Sequence, residues 1–292
     1  MVGPDSATEA FLAHRNLLFT VAYEMLGSAV DAEDVVQETW LRWSGVDQAE
    51  VRDPRAYLVR IVTRQAMNRL RSVSRRREEY VGEWLPEPLL TSPDAAEDVE
   101  LAENVSIAML TVLETLGPAE RAVFVLHEVF ETPYDEIAEV VGKTPAAVRQ
   151  IGHRARAHVA ARRPRMQVDR AQQEATVQKL IAAISSGDVP GLLEVLAPEV
   201  VLIADGGGQV RAARKPITGA DRVVAFLARV TDLPDLVATV AWVNGMPGAR
   251  VEAGGGTTAV SLVVEDGRVT RIYAISNPQK LGRLEKVAEL RR

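Results

Sequence analysis

The stretch YDEIAEVVGKTPAAVRQIGHRARAHVAARRPR, residues 134–165, reads as two helices joined by a tight turn, the second far more basic than the first. Ile137, Ala138 and Val141 give the first helix one apolar stripe. Gly142 falls where that helix must stop, because a residue without Cβ enters the left-handed cap conformation at little cost. Thr144 then supplies a capping hydroxyl, and Pro145 suits the first position of a new helix. Val148 and Ile151 face back to the first helix, with small Ala138 allowing a close crossing. Arg149, Gln150, His153, Arg154 and Arg156 occupy other faces, and no acidic residue lies between Lys143 and Arg165. In a helix-turn-helix such a second helix enters the DNA major groove, where Arg and Gln side chains reach base edges. The spacing also admits a plain solvated helical hairpin.

Composition sets bounds on the rest. A chain of 292 residues accommodates two or three domains, and 47% hydrophobic with 25% charged residues is ordinary for a soluble globular protein. The absence of cysteine excludes structural disulfides, Cys-ligated zinc and thiol nucleophiles. The first residues, MVGPDSATEA, lack a basic region followed by an apolar core, so no signal peptide is expected. No apolar run approaches the roughly 20 residues that span a bilayer, and a cytoplasmic protein without a membrane partner is expected. The net charge of -6 is the wrong sign for a DNA binder, but its distribution matters more than its sum. Positive charge concentrates in 52–77 and 143–165, with acids filling 78–103 between them.

The first 77 residues read as entirely helical. Phe11, Leu12, Leu17, Leu18, Val21, Ala22 and Met25 form a stripe ending near Gly27, and Ser28 with Asp31 has capping-box spacing before a second helix. In that helix, 31–43, Val36, Trp40 and Trp43 share a core face, whereas Asp31, Asp34 and Glu38 share another. These like charges at helical neighbours destabilise mildly, and Arg42 can relieve only Glu38. A solvated acidic face is one reading of them. After a loop over 44–53, Asp53 and Pro54 open a third helix with Leu58, Ile61 and Val62 inward. Tyr57, Arg60, Arg64, Asn68 and Arg71 fall near one line along it. An aromatic beside arginines and an amide suits melted nucleic acid, where bases stack and phosphates pair; a snorkelling arginine face is the alternative.

Residues 31–43, the run Asp53-Pro54-Arg55-Ala56-Tyr57-Leu58 and the arginine-rich helix after it resemble region 2 of an extracytoplasmic-function (ECF) sigma factor. Leu116-Gly117-Pro118-Ala119-Glu120-Arg121 with the helix-turn-helix resembles region 4 of the same family, with Leu110, Leu113, Leu116, Val123, Phe124, Leu126 and Val129 as its inner face. The two matches, in order and spacing, cover about half the chain. The resemblance implies that Asp34, Glu38 and Trp40 dock on the clamp of core RNA polymerase, a basic partner satisfying the unpaired acids. It implies that Tyr57, Arg60, Arg64, Asn68 and Arg71 engage and melt the -10 promoter element. It places Thr144, Arg149, Gln150, His153, Arg154 and Arg156 on the -35 element.

Between the two regions, Trp84-Leu85-Pro86-Glu87-Pro88-Leu89 must be extended, because its prolines exclude a continuous helix. Physics alone admits either a docking peptide anchored by Trp and Leu or a stiff linker. The motif is similar to that of the SigJ-like ECF group, which carries a C-terminal SnoaL-like extension. Beyond Asp169 the pattern is mixed. Helices are expected over 177–187, 192–196 and 219–230, and strands over 200–204, 236–243, 258–265 and 268–275, with Asp266-Gly267 as a hairpin turn. Helices on a curved antiparallel sheet give α+β architecture, an NTF2-like (SnoaL-like) cone by resemblance.

The expected organisation is therefore multidomain. Two all-α sigma domains, region 2 at 1–77 and region 4 at 105–165, flank a linker at 78–104, and a regulatory cone follows at 169–292. Asp205-Gly206-Gly207-Gly208-Gln209 resembles the group's DGGGK motif, and Asn277-Pro278-Gln279-Lys280-Leu281 its NPDKL motif. Each departure removes a charge, so a contact that used it should be weaker here. Pro278 is expected to start a final helix bearing Leu281, Leu284, Val287 and Leu290, a regulatory element that docks on the extension. All four histidines, His14, His127, His153 and His158, precede the cone, leaving Asp205, Asp221 and Tyr273 as candidate acid–base groups without paired catalytic spacing. The glycine triplets at 206–208 and 254–256 have neither a P-loop lysine nor dinucleotide spacing and read as turns. A sigma factor without cofactor or catalytic residues is the leading reading, with core polymerase and promoter DNA as partners. A regulator sensing an unknown small-molecule ligand through the cone, or a SnoaL-like enzyme with a DNA-binding head, are the alternatives.

Overall fold

The computed structural model describes residues 4–47, 50–93, 98–163 and 170–291. The anticipated domain limits at 165 and 169 lie outside these residues, as do 94–97 of the anticipated linker. The chain divides into two compact units. One holds Met1–Glu78, Val112–Arg162 and Glu289–Arg292; the other holds Glu79–Thr111 and Arg163–Ala288. The segment anticipated as a linker is thus built into the α+β unit. Among the described residues no helix is long and apolar enough to cross a membrane.

The helical unit begins with α1 (Pro4–Leu26), α2 (Ala29–Trp43) and α3 (Pro54–Glu78). Ser28 caps α2 by accepting the Asp31 N–H at 3.2 Å, and Asp53 caps α3 by accepting that of Ala56 at 3.0 Å. Leu18, Val21, Val36, Trp43, Leu58 and Val62 are buried between these helices, and the Trp43 indole N–H donates to the Ala7 carbonyl at 2.8 Å. Further along the chain come α4 (Val99–Val105), α5 (Ile107–Leu113) and α6 (Pro118–Phe124), which runs on as one wider π turn over Val125–Val129.

The helix-turn-helix is α7 (Tyr134–Val141) and α8 (Pro145–Ala160). Gly142 sits at φ 67°, and Thr144 accepts the Ala147 N–H at 3.3 Å. Two details differ from the sequence reading. Val140, not Val141, joins Ile137 and Ala138 in the core, because α7 also packs on α3. The close crossing is made at Gly152, where a Cβ would lie 3.1 Å from the Tyr134 hydroxyl and 3.4 Å from Val123.

The α+β unit carries α9 (Arg170–Ser186), α10 (Val189–Val195) and α11 (Ala220–Thr231) on a six-stranded sheet. Its strands are β1 (Leu196–Asp205), β2 (Ile217–Thr218), β3 (Val237–Val243), β4 (Met246–Ala253), β5 (Gly256–Glu265) and β6 (Arg268–Ile275), in the order β2-β1-β6-β5-β4-β3. The expected α+β architecture stands, but the sheet is mixed: β1 pairs parallel with β6, all other pairs being antiparallel. β4 escaped the sequence reading because Pro247, Gly248 and Ala249 interrupt its β-branched pattern. Asp266 (φ 50°) and Gly267 (φ 74°) make the expected hairpin turn, and Asn244 (φ 54°) with Gly245 (φ 74°) makes a second.

The expected final helix does not form. A single 3-10 turn covers Pro278–Lys280, after which Val287 pairs with Leu90 and the Ala288 N–H donates to the Leu90 carbonyl at 2.7 Å. Extended pairing takes the backbone groups that a helix would have bonded internally. Leu284 and Leu290 are nonetheless buried, while Val287 is exposed. In the helical unit, the Arg291 N–H donates to the Thr20 hydroxyl at 3.1 Å.

Candidate polymerase, promoter and linker-docking sites

On α2, Trp40 is half-buried with its ring 5.1 Å from that of Phe11, and Glu38 is exposed. The acids are not all unpaired, which corrects the sequence reading. Arg69 of α3 donates Nε to Asp31 at 2.7 Å and Nη2 to Asp34 at 3.0 Å. Asp31 first, then Asp34 and Glu38, hold the Arg69 guanidinium above its ordinary arginine value. One arginine from the neighbouring helix thus relieves the like-charge row that Arg42 could not.

The line of residues on α3 is likewise engaged. Tyr57 leans on Trp43 with ring centres 5.8 Å apart, and the Arg60 guanidinium stands 5.1 Å above the Tyr57 ring. Arg60 also pairs with Glu139 at 3.2 Å. Arg64 donates to the Glu139 carbonyl at 2.8 Å and to that of Val140 at 3.3 Å. Those carbonyls are the orphan acceptors at the negative end of the α7 dipole, so the contact is electrostatically apt. Asn68 and Arg71 are exposed and bond each other at 3.3 Å.

On α8, Arg149, Gln150, His153, Arg154 and Arg156 are all exposed, as is the capping Thr144. Arg149 lies 3.8 Å from Asp135 and Arg156 3.4 Å from Glu128, both at the surface where such pairs contribute little. The face is therefore a free cationic surface backed by buried Val148, Ile151 and Ala155.

The α+β unit gathers Trp84, Leu85, Asp205, Asn277 and Lys280 into one cluster. Asp205, wholly buried at the end of β1, accepts the Lys280 ammonium at 2.7 Å, the Tyr80 hydroxyl at 2.5 Å and the N–H groups of Leu85 (2.9 Å) and Gly207 (3.0 Å). Lys280 also donates to the Leu85 carbonyl at 2.5 Å and lies 4.0 Å over the Trp84 ring. The Asn277 amide reaches the Tyr80 hydroxyl at 2.7 Å. Burial, then Asp205, pushes the Tyr80 hydroxyl above its ordinary value, so it remains a donor. Leu85 enters an apolar cluster with Ile107, Val263, Tyr273 and Ile275, against which Leu281 packs.

Farther along the segment, the Asn244 side chain accepts the Leu89 N–H and donates to the Val105 carbonyl, both at 2.8 Å. Pro86, Pro88 and Leu89 are buried, Glu87 is partly so, and Pro278 is exposed. Gly206–Gly208 form the turn that lets this happen. A Cβ on Gly207 would overlap the Asn277 amide, and one on Gly208 would lie 3.1 Å from Val81. The departures Gln209 and Gln279 are both exposed, so the missing charges lie outside the buried cluster. Tyr80 and Asn244 were missed by sequence reasoning. Asn244 had one available signal, an Asn-Gly pair between two apolar runs. Asn244→Ala should cost the unit about 2–3 kcal/mol in urea denaturation, since two buried backbone groups lose their partner. Asn244→Gly, which keeps the turn conformation, should recover only part of that loss.

Sigma-70 region 2 matches residues 10–76 and sigma-70 region 4 matches residues 106–159. Two such helical regions ahead of an α+β extension define the class, a sigma factor. The chain is 38% identical over 287 residues to the ECF RNA polymerase sigma factor SigJ of Mycobacterium tuberculosis (strain ATCC 25618 / H37Rv), covering 92% of this chain and 91% of that protein. It is 34% identical over 282 residues to the probable ECF RNA polymerase sigma factor SigI of Mycobacterium tuberculosis (strain CDC 1551 / Oshkosh), covering 95% of each. The crystal structure of Mycobacterium tuberculosis SigJ resembles it with a TM-score of 0.75 at 35% identity, over 94% of this chain and 98% of that one. The chain belongs to the ECF RNA polymerase sigma factors and is SigJ-like along nearly its whole length, the α+β extension included.

Proposed function

We propose that this ECF sigma factor directs core RNA polymerase to its promoters by three surfaces, and that the fused cone governs their use through the segment between regions 2 and 4. Asp34, Glu38 and Trp40 meet the polymerase clamp. Tyr57, Arg60, Arg64, Asn68 and Arg71 engage the -10 element. Thr144, Arg149, Gln150, His153, Arg154 and Arg156 read the -35 element. The free cationic face of α8 carries the promoter reading, because surface guanidinium groups with no strong internal partner are available to phosphates and base edges. Arg60 and Arg64 are spent on the end of α7, so productive binding requires region 4 to leave region 2. The buried cluster around Asp205 supports the regulatory role, since it holds residues 80–89 at the cost of freedom the two regions need.

Run-off transcription with purified core polymerase tests this reading. The full chain, or a form trimmed before the cone, should give a promoter-dependent transcript; none from either form refutes it. Replacing Arg149 or Arg154 with alanine should weaken upstream promoter binding by about 1–3 kcal/mol while polymerase association is unchanged. Equal loss of polymerase association would show that α8 has been given the wrong partner.

A further inference from the structure

The cone encloses a cavity of about 340 Å³, at the small end of the range for small-molecule sites, roughly 300–1,000 Å³. Its walls are Leu180 and Ile184 of α9, Phe226 and Leu227 of α11, and Val260 and Ile272 of the sheet. The polar side chains on it are few. Thr257, Thr258 and Ser276 supply hydroxyls, the last two bonded to each other at 2.9 Å. Arg211 supplies the one charge among the lining residues, and it has no ion-pair partner among the described residues. Val210 and Leu233 form an exposed apolar rim. None of Asp205, Asp221 and Tyr273 lines the cavity, and among the described residues it offers no carboxylate, imidazole or phenol to move a proton. Such a lining suits binding rather than acid–base turnover.

The cavity shares its wall with the linker cluster. Leu202 and Ala204 of β1 and Ile272, Ala274 and Ser276 of β6 line the cavity. The alternate residues Ile203 and Asp205 of β1, with Tyr273 and Ile275 of β6, face Leu85 and its neighbours. In register Leu202 pairs with Ile272 and Ala204 with Ala274, while Ile203 pairs with Tyr273 and Asp205 with Ile275. Two adjacent strands therefore present one face to the cavity and the other to residues 80–89. The turn after β1 completes the link: Gly208 abuts Val81, and Val210 and Arg211 follow at once on the cavity rim.

We propose that the cone binds an amphipathic anion, an alkyl or aryl carboxylic acid with its apolar body in the cavity and its carboxylate on Arg211, and that occupancy alters the docking of residues 80–89. The coupling half of this proposal rests on the regulatory reading above; the binding half does not. The test uses the full chain, with octanoate and its neutral counterpart 1-octanol as probes. By titration calorimetry octanoate should bind about tenfold more tightly than 1-octanol, the advantage of one charge-assisted contact. Exposed Arg211→Gln should fold normally and erase that preference while leaving 1-octanol binding unchanged. Hydrogen exchange over 80–89 and 206–210 should shift with octanoate in the parent chain and not in R211Q. Absence of octanoate binding, or undiminished octanoate binding in R211Q, overturns the site. Binding without any exchange response overturns the coupling. No polymerase enters these measurements, so a failed run-off assay would strike the promoter reading and leave the site standing.

Discussion

Replacing Lys280 with methionine should destabilise the α+β unit by about 3–5 kcal/mol, the range for removing one partner of a buried ion pair. Lys280 is 7% exposed and Asp205 wholly buried, so neither charge has water to fall back on. The substitution also removes a donor from the Leu85 carbonyl and a cation from the face of Trp84. Asp205 keeps three donors, from Tyr80, Leu85 and Gly207, but these are dipoles and cannot offset a full buried charge. The companion Asp205→Asn, K280M double variant removes both charges and should recover part of the loss, as buried pairs do when replaced together. The readouts are urea denaturation and hydrogen exchange over residues 80–89, which should lose protection in K280M first. A K280M chain within about 0.5 kcal/mol of the parent would mean that the apolar cluster around Leu85 holds the segment without the ion pair.

That cluster also marks where sequence reading ran out. The anchors Trp84 and Leu85 could be recognised from an aromatic and two prolines in an acidic stretch, because extended conformation is a local consequence of proline. Their receptor could not be derived, since Asp205 and Lys280 lie 120 and 195 residues from Leu85 and meet only through the β1–β6 pairing. The boundaries of the helix-turn-helix were legible because each signal is local, Gly142 to end α7 and Thr144 with Pro145 to begin α8, whereas its packing partners, set by α3 and α6, were not. The acidic row on α2 was legible, but its counter-charge Arg69 comes from another helix, 38 residues on from Asp31. The C-terminal leucines misled for the opposite reason. Their helical spacing is a local preference of modest weight, and pairing with Leu90 outcompetes it. The DGGGQ and NPQKL motifs were recognisable only by family resemblance, and nothing local in either points to Tyr80, which joins Asp205 and Asn277 from 125 and 197 residues away.

In the helical unit, raising the pH from about 5 to 8 should cost stability on the order of 3–5 kcal/mol, and Glu24→Gln should remove most of that slope. Glu24 of α1 is fully buried, and neither carboxyl oxygen has a hydrogen-bond partner among the described residues. Burial lifts its pKa from 4.5 to about 8, opposed by the nearby Arg121 charge. Arg121 of α6 is itself buried, donates Nε to the Glu24 backbone carbonyl at 3.0 Å and pairs with Glu114 at 2.6 Å. Burial draws the guanidinium down to about 9, so it stays charged at neutral pH, with Glu114 as its direct counter-ion. The sign follows from the raised pKa. Below 4.5 both folded and unfolded chains hold the Glu24 proton, and its full stabilising contribution is present. Between 4.5 and about 8 the unfolded chain releases the proton while the folded chain retains it, so stability falls throughout that window. Above it both states are ionised and the loss levels off. Urea denaturation followed through the buried Trp43 at pH 5, 6.5 and 8 gives the slope directly. An E24Q chain with the parent's slope would place the titration elsewhere. Because α1 belongs to region 2 and α6 to region 4, the buried carboxyl also opposes ionisation of the closed form specifically. Separating the regions would hydrate Glu24 and let it ionise, so the same substitution should strengthen closure at pH 8 and lower promoter-dependent transcription there more than at pH 6.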